Sequence, residues 1–140
     1  MKNGTPAWSV VIVVANGNND VLAISRGFAV RDPAFPGGDS EPGDETPAKT
    51  VQRELYEETG LRAQEAKLID RWEGERGQPV FVFYVPKFSG RRLRASTEGK
   101  PFWTQPNTLL MKSAYYRDEA KRILEKLSEA RVGEAQAKTG

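Results

Sequence analysis

One helical segment with a clear start and a clear stop carries three carboxylates on one flank, and it constrains this chain more than any other feature. Thr46 is a capping residue, and Pro47 occupies the first helical position, where a missing N–H costs nothing. Thr59-Gly60 closes the segment, because glycine most easily takes the left-handed conformation that ends a helix. Between them Ala48, Val51 and Leu55 recur at helical spacing and form the stripe that must pack. Glu54, Glu57 and Glu58 lie beside that stripe, turned from it by roughly a quarter-turn. Residues three and four apart are neighbours, so Glu54 faces both of the others. Two carboxylates ~6 Å apart repel by ~3 kcal/mol at an effective dielectric of about 20, and the last turn of a helix disfavours anions. The local compensation is Arg53, four residues before Glu57. Carboxylates gathered against these preferences suit a bound hard cation, magnesium first.

The chain contains no cysteine and no histidine. Disulfides, zinc thiolate sites, cysteine nucleophiles and Ser-His-Asp triads are therefore excluded. Acid–base chemistry near neutral pH falls to carboxylates, Lys, Tyr or metal-bound water. With 140 residues and 38% hydrophobic content, the chain suits one domain over 1–131, followed by a small, polar, frayed tail over 132–140. Net charge is only +2, but its distribution is uneven. Seven acidic residues fall between Gly37 and Gly60, and Lys87, Arg91, Arg92, Arg94 and Lys100 form a later basic stretch. An acidic metal pocket facing basic residues suits a phosphorylated ligand; the basic run alone fits a solvated loop equally well. The longest apolar run, Val10 to Ala15, is too short to span a bilayer, and Pro6 counts against a signal peptide. The expectation is a cytoplasmic protein.

Ser9 to Ala15 reads as a buried strand, with Val21 to Ser25 as its hairpin partner across Asn16-Gly17-Asn18-Asn19-Asp20. Pro33 to Asp44, with three prolines and Gly-Gly, reads as a loop. Strands are expected over Leu61 to Trp72, Pro79 to Val85 and Phe102 to Thr104. A helical turn is expected over Asn107 to Met111, and a helix over Arg117 to Arg131 with Ala120, Ile123, Leu124 and Leu127 as its apolar stripe. Strands interleaved with helices predict an α/β (α+β) fold, a mixed sheet covered on both faces.

From Gly37-Gly38 through Glu45-Thr46-Pro47 to Gly60-Leu61, the chain resembles the Nudix box. That pattern is G, five residues, E, seven residues, R-E-U-x-E-E-x-G-U, where U is bulky and aliphatic. Glu45, Arg53, Glu54, Leu55, Glu57, Glu58, Gly60 and Leu61 match its helical half. The loop half departs, because six residues separate Gly38 from Glu45. The extra residue is assigned to the loop, since an insertion in the helix would rotate the glutamates by about 100°.

The resemblance implies a Nudix fold and a magnesium-dependent pyrophosphohydrolase, with manganese able to substitute, cleaving a nucleoside triphosphate or another nucleoside diphosphate linked to X. It implies Glu57 and Glu58 as principal metal ligands, Glu54 as ligand or base, the Gly38 carbonyl as a backbone ligand, and Arg53 as a structural partner of Glu45. Glu98 is the candidate for a further metal-binding carboxylate, with Glu73 and Glu75 as competitors. Arg26 is the candidate phosphate contact. Phe28, Phe83, Trp103, Tyr115 and Tyr116 are candidates to stack on a base, although aromatics more often pack. Glu98 to Trp103 resembles, loosely, a segment of the MutT-type branch. Other readings stay open: a nucleotide-sugar or ADP-ribose pyrophosphatase, a nucleotide-sensing domain without turnover, and an RNA role through Lys87 to Arg94, for which a basic loop without interleaved aromatics is thin support. The expected partners are a nucleotide substrate and, as in many relatives, a second copy of the chain; neither a membrane nor nucleic acid is expected.

Overall fold

The computed structural model describes residues 4–25, 33–90, 93–95, 99–112 and 117–139. In chain order these form β1 (Ser9–Val14), β2 (Val21–Ser25), β3 (Pro33–Ala34), β4 (Gly37–Asp39), α1 (Pro47–Thr59), β5 (Arg62–Glu73), β6 (Pro79–Ser89), β7 (Lys100–Thr104), α2 (Pro106–Lys112) and α3 (Arg117–Thr139). Four strands make one sheet in the order β4-β1-β6-β5, and three make a second in the order β3-β2-β7. The β1–β6 pair is parallel, with Ile12 opposite Phe83, and the other pairs are antiparallel.

All six residues of β1 are buried, because helices cover both faces of its sheet. Val10, Ile12, Val14, Phe83 and Val85 pack on one face with Val51 and Leu55 of α1. Val11, Val13, Val80, Val82 and Tyr84 pack on the other with Phe35, Leu109 of α2, and Ile123 and Leu127 of α3. Alternate residues of a strand point to opposite faces, so one unbroken apolar run serves two cores. Strand β5 lies at the margin of the larger sheet, and its pairing with β6 shifts register between Ala63 and Glu65, between Glu65 and Lys67, and between Leu68 and Asp70.

Three expectations need correction. Strand β2 is not the ladder partner of β1; beyond an isolated Ala15–Val21 bridge it belongs to the second sheet. The edges of β1 are taken by β4 and β6, so the chain turns through Asn19, at φ 64°, and crosses between sheets. The stretch from Pro33 to Asp44 is not wholly loop, since β3 and β4 lie within it. Helix α3 continues through Thr139 where a frayed tail was expected after Arg131. Glu134 gives that extension a reason to dock, because it accepts the Tyr84 phenol at 3.1 Å and pairs with Lys67 at 3.4 Å.

Candidate active site

Helix α1 begins and ends as its residues dictate. The Thr46 side chain accepts the Lys49 N–H, and Gly60, at φ 81°, donates its N–H to the Tyr56 carbonyl at 2.9 Å. Val51 and Leu55 are fully buried, which fixes the rotation of the helix and swings Glu54 and Glu58 toward β4.

Arg53 is the hub of the acidic flank. Its Nε and Nη2 donate to the two oxygens of Asp44 at 3.1 and 2.9 Å, the forked geometry a guanidinium favours. Its Nη1 lies 2.9 Å from Glu54, 3.2 Å from Glu57 and 3.3 Å from Glu41, and Nη2 also reaches the Asp39 carbonyl at 3.0 Å. Arg53 therefore offsets the repulsion among the glutamates and also braces the loop. The expected partner, Glu45, is corrected to Asp44. Thr46 is the cap, so Glu45 falls outside the helix and is exposed, whereas Asp44 is folded inward by a turn in which its N–H meets the Glu41 carbonyl at 2.9 Å. Asp44 also accepts from Thr50 Oγ1 and from the Glu41 N–H. Hydrogen bonds from Arg53, outweighing burial, hold the Asp44 carboxyl down at about 2. The same bonds push the Arg53 guanidinium further up, so it stays charged.

Glu58 is 1% exposed, and its Oε2 accepts the Gly37 N–H at 3.0 Å. A backbone amide thus fixes a carboxylate that would be costly to bury alone. Glu54 lies against the next residue, where a Cβ added at Gly38 would stand 2.6 Å from its carboxyl carbon. Only a residue without a side chain leaves room for that carboxylate beside the Gly38 backbone. Glu57 is the outermost of the three, with a side chain 53% exposed. Among the described residues no three acidic side chains already converge as a set that would hold an ion. The donors nevertheless fit one: carboxylate oxygens are a hard set suited to magnesium or manganese, and Gly38 keeps a cradle beside Glu54 that a Cβ would fill. The Gly38 carbonyl, expected as a backbone ligand, is corrected: the β1–β4 register turns it toward Val10, while the Asp39 carbonyl faces α1.

Past Gly38, Asp39 accepts from Ser9 Oγ at 2.7 Å and from Arg76 Nη2 at 2.8 Å. Burial pushes its carboxyl up, but the Arg76 and Ser9 hydrogen bonds and the guanidinium charge bring it below the usual range. Beside it, on the α3 face of the sheet, a cleft of about 430 Å³ is lined by Val11, Trp72, Arg76, Gln78, Val80 and Glu119. Val11 pairs with Gly37 across the β1–β4 ladder, so the cleft adjoins the glycine loop. Glu73 and Glu75 border the same cleft.

The structure thus brings together Arg53, Glu54, Glu57, Glu58 and Gly38. It does not bring Phe83 to the site: that ring is 8% exposed and packs under α1, because its position on β6 turns it toward Val51 and Leu55. Phe83 is corrected from a stacking platform to core. Trp103 is half-buried on β7, tilted against Phe88 at 5.8 Å. Arg26, Phe28, Glu98, Tyr115 and Tyr116 lie outside the described residues. The sequence reading missed Asp44, Ser9, Arg76 and Gln78. For Asp44 a signal was present, since Gly38 and Asp44 are separated by the five residues of the family pattern.

The model of the NUDIX domain family matches residues 5–127. An RNA pyrophosphohydrolase of Psychromonas ingrahamii is 41% identical over 61 residues, which cover 44% of this chain and only 33% of that relative's length. The fold is similar to the MutT NUDIX hydrolase of Burkholderia pseudomallei, with TM-score 0.68 and 20% identity over 87% of this chain and 98% of that one. It is also similar to the NUDIX domain of Shewanella oneidensis NrtR in complex with ADP ribose, with TM-score 0.70 and 17% identity over 90% of this chain and 88% of that one.

Proposed function

This chain belongs to the NUDIX family, and from that membership we propose that it is a divalent-metal-dependent pyrophosphohydrolase, cleaving a nucleoside triphosphate or another nucleoside diphosphate linked to X. The observation that carries the reading is the seating of Glu54 against Gly38, with Glu58 tethered to Gly37 on the same short strand. Glu54, Glu57 and Glu58, beside the glycine strand, would hold magnesium, or manganese in its place. A divalent ion held there would supply charge neutralisation for a diphosphate and a lowered pKa for water.

The chain's own groups supply the rest. Arg53 holds Glu54 through Oε1 and so orients the carboxylate that takes the proton from the attacking water. Asp44 locks Arg53 in turn. The cleft lined by Val11, Trp72 and Val80 offers the apolar walls, and Glu73, Glu75, Arg76 and Gln78 the polar groups, that orient a nucleoside. Arg26, next in sequence after β2, is the candidate contact for phosphate oxygens. Glu98 is the candidate further metal ligand, and Phe28 and Trp103 are candidates to contact the base.

A panel of nucleoside triphosphates, ADP-ribose, nucleotide sugars and dinucleoside polyphosphates, assayed for released phosphate or pyrophosphate, tests the reading. Turnover that requires magnesium and stops with chelator is expected. Nucleotide binding without turnover of any member would instead favour a sensing domain. A second reading, hydrolysis at the 5′ end of phosphorylated RNA, is favoured by one observation: the guanidiniums of Arg62 and Arg94 both lie over the Tyr56 ring, 4.3 and 4.9 Å from its centroid. Two arginines gathered beside a partly exposed aromatic offer positive charge to the phosphates of a nucleic-acid strand. Triphosphorylated RNA therefore joins the panel, and turnover of RNA that falls steeply with salt and in Arg94→Ala separates it from the mononucleotide reading.

A further inference from the structure

Strand β4 carries the glycine loop yet has little to hold it in place. It is three residues long, it sits at the margin of its sheet, and two of its residues have no side chain to pack. Its placement beside α1 therefore comes from hydrogen bonds: Gly37 N–H reaches Glu58, and a further set converges on Asp39, the residue after Gly38. The Asp39 carbonyl takes Arg53 Nη2 at 3.0 Å. Its carboxylate Oδ1 takes both Ser9 Oγ and Arg76 Nη2, at 2.7 and 2.8 Å. Ser9 is opposite Asp39 in the ladder, but Arg76 comes from a distant turn, the one joining β5 to β6.

That turn is built around the side chain of Gln78, which is 7% exposed. Its Oε1 accepts the Arg76 N–H at 3.0 Å, and its Nε2 donates to Ser9 Oγ at 3.2 Å. The Gln78 carbonyl accepts the Gly74 N–H at 2.7 Å, and the amide leaves no space for a Cβ at Gly74, where one would come within 2.6 Å. The hydroxyl of Ser9 has a single proton. Because its oxygen already accepts from Gln78, that proton is directed to Asp39. Gln78 thereby orders both links to Asp39: the hydroxyl through its nitrogen, and the backbone of Arg76 through its oxygen.

We propose that the β5–β6 turn positions the metal loop: Gln78 and Arg76, acting through Ser9 and Asp39, hold the Gly38 backbone beside Glu54. The proposal rests on the metal reading above, and none of these four residues is a metal ligand in it. Arg76 and Gln78 also line the nucleoside cleft, so an occupant of the cleft meets the same side chains that place the loop. The Arg76–Asp39 pair is half exposed on both sides, at 45% and 46%, and contributes little to stability as an ion pair. Its contribution is to geometry.

The test is Mn2+ binding to the whole chain without nucleotide, followed by electron paramagnetic resonance, alongside thermal melting and steady-state kinetics. Ser9→Ala and Arg76→Ala are each expected to weaken Mn2+ binding about tenfold, the scale seen when groups that orient metal ligands are removed. The double variant is expected to fall short of the product of the two losses, because both act on Asp39. Arg76→Lys is expected to restore most of the affinity, and kcat is expected to fall more than KM rises. Arg122→Ala supplies the control: it removes the Asp70 partner that ties α3 to β5 at 2.6 Å, away from the loop, and should lower the melting temperature without changing Mn2+ affinity. Unchanged Mn2+ affinity in both Ser9→Ala and Arg76→Ala, while the wild type binds, overturns the positioning role alone. So does an equal loss in Arg122→Ala, which would mark the effect as general loosening. A wild-type chain that binds no Mn2+ overturns the metal reading and this inference with it.

Discussion

Gly37 and Gly38 are adjacent, yet replacing each by alanine should damage the protein in different ways. A Cβ at Gly38 first meets the end of the Glu54 side chain, at 2.6 Å from its carboxyl carbon and 2.6 and 2.8 Å from its oxygens. Ordinary contact begins at 3.4 Å, so the carboxylate must retreat by about 0.8 Å. A flexible side chain makes that move cheaply, and the smaller unfolded-state entropy of alanine offsets some of the cost. A catalytic group misplaced by about 1 Å loses on the order of 100-fold in rate. At Gly37 the new atom runs into the Val10 carbonyl oxygen, with the carbonyl carbon at 3.2 Å and Val11 Cα at 3.3 Å. Backbone cannot step aside without parting β4 from β1, so overpacking of about 2–3 kcal/mol is expected. Gly38→Ala should therefore melt within about 2 °C of wild type while kcat falls roughly 100-fold. Gly37→Ala should melt about 10 °C lower. Differential scanning fluorimetry and magnesium-dependent pyrophosphate release read the two quantities on the same preparations. Gly38→Ala with wild-type kcat, or with the thermal loss of Gly37→Ala, would refute the reasoning.

Asp44 and Glu45 are distinguished in the same way. Asp44→Asn should cost about 2 kcal/mol at neutral pH, whereas Glu45→Gln should melt like wild type. The folded Asp44 carboxyl is held near 2, below its ordinary value, so its contribution is present above about pH 4 and is lost as pH falls toward 2. Urea titrations across that window should show an acid limb that Asp44→Asn flattens. Glu57→Gln should lower kcat at least 100-fold while changing stability by no more than about 0.5 kcal/mol, since the carboxylate is exposed and its Arg53 pair is a surface pair; retained turnover would remove Glu57 from the site. Burial, with Glu134 beside it, raises the Tyr84 phenol to about 12. Its share of stability is therefore whole below about pH 10 and fades as pH rises through 12, a loss that Tyr84→Phe should abolish in alkaline melts.

Helix α1 was legible because its signals are local. Thr46-Pro47 starts it, Thr59-Gly60 stops it, and the Val51–Leu55 stripe sets its rotation. The strands were legible because each is a dense apolar run, but which strands pair depends on partners distant in sequence. Nothing near Val21 announces that β1 already has two neighbours. The loop before the helix was read by counting back from Arg53, which selects Glu45. The structure selects Asp44, because a cap at Thr46 leaves Glu45 outside and the Glu41–Asp44 turn points the shorter acid inward. Phe83 was misread because a strand former inside an unbroken apolar run gives no hint of which face of the sheet it joins. Ser9 and Gln78 sit 69 residues apart, so their hydrogen bond has no signature in the linear order.

A twelve-residue strand at the border of a sheet would ordinarily present a long, even row of amides on which another molecule could extend the ladder. Strand β5 holds that border, and three breaks in its register bend and twist it, with Lys67 and Arg71 adding charge along its length. An incoming strand would find no even row of partners along that border, which disfavours side-by-side growth there without calling on a larger net charge.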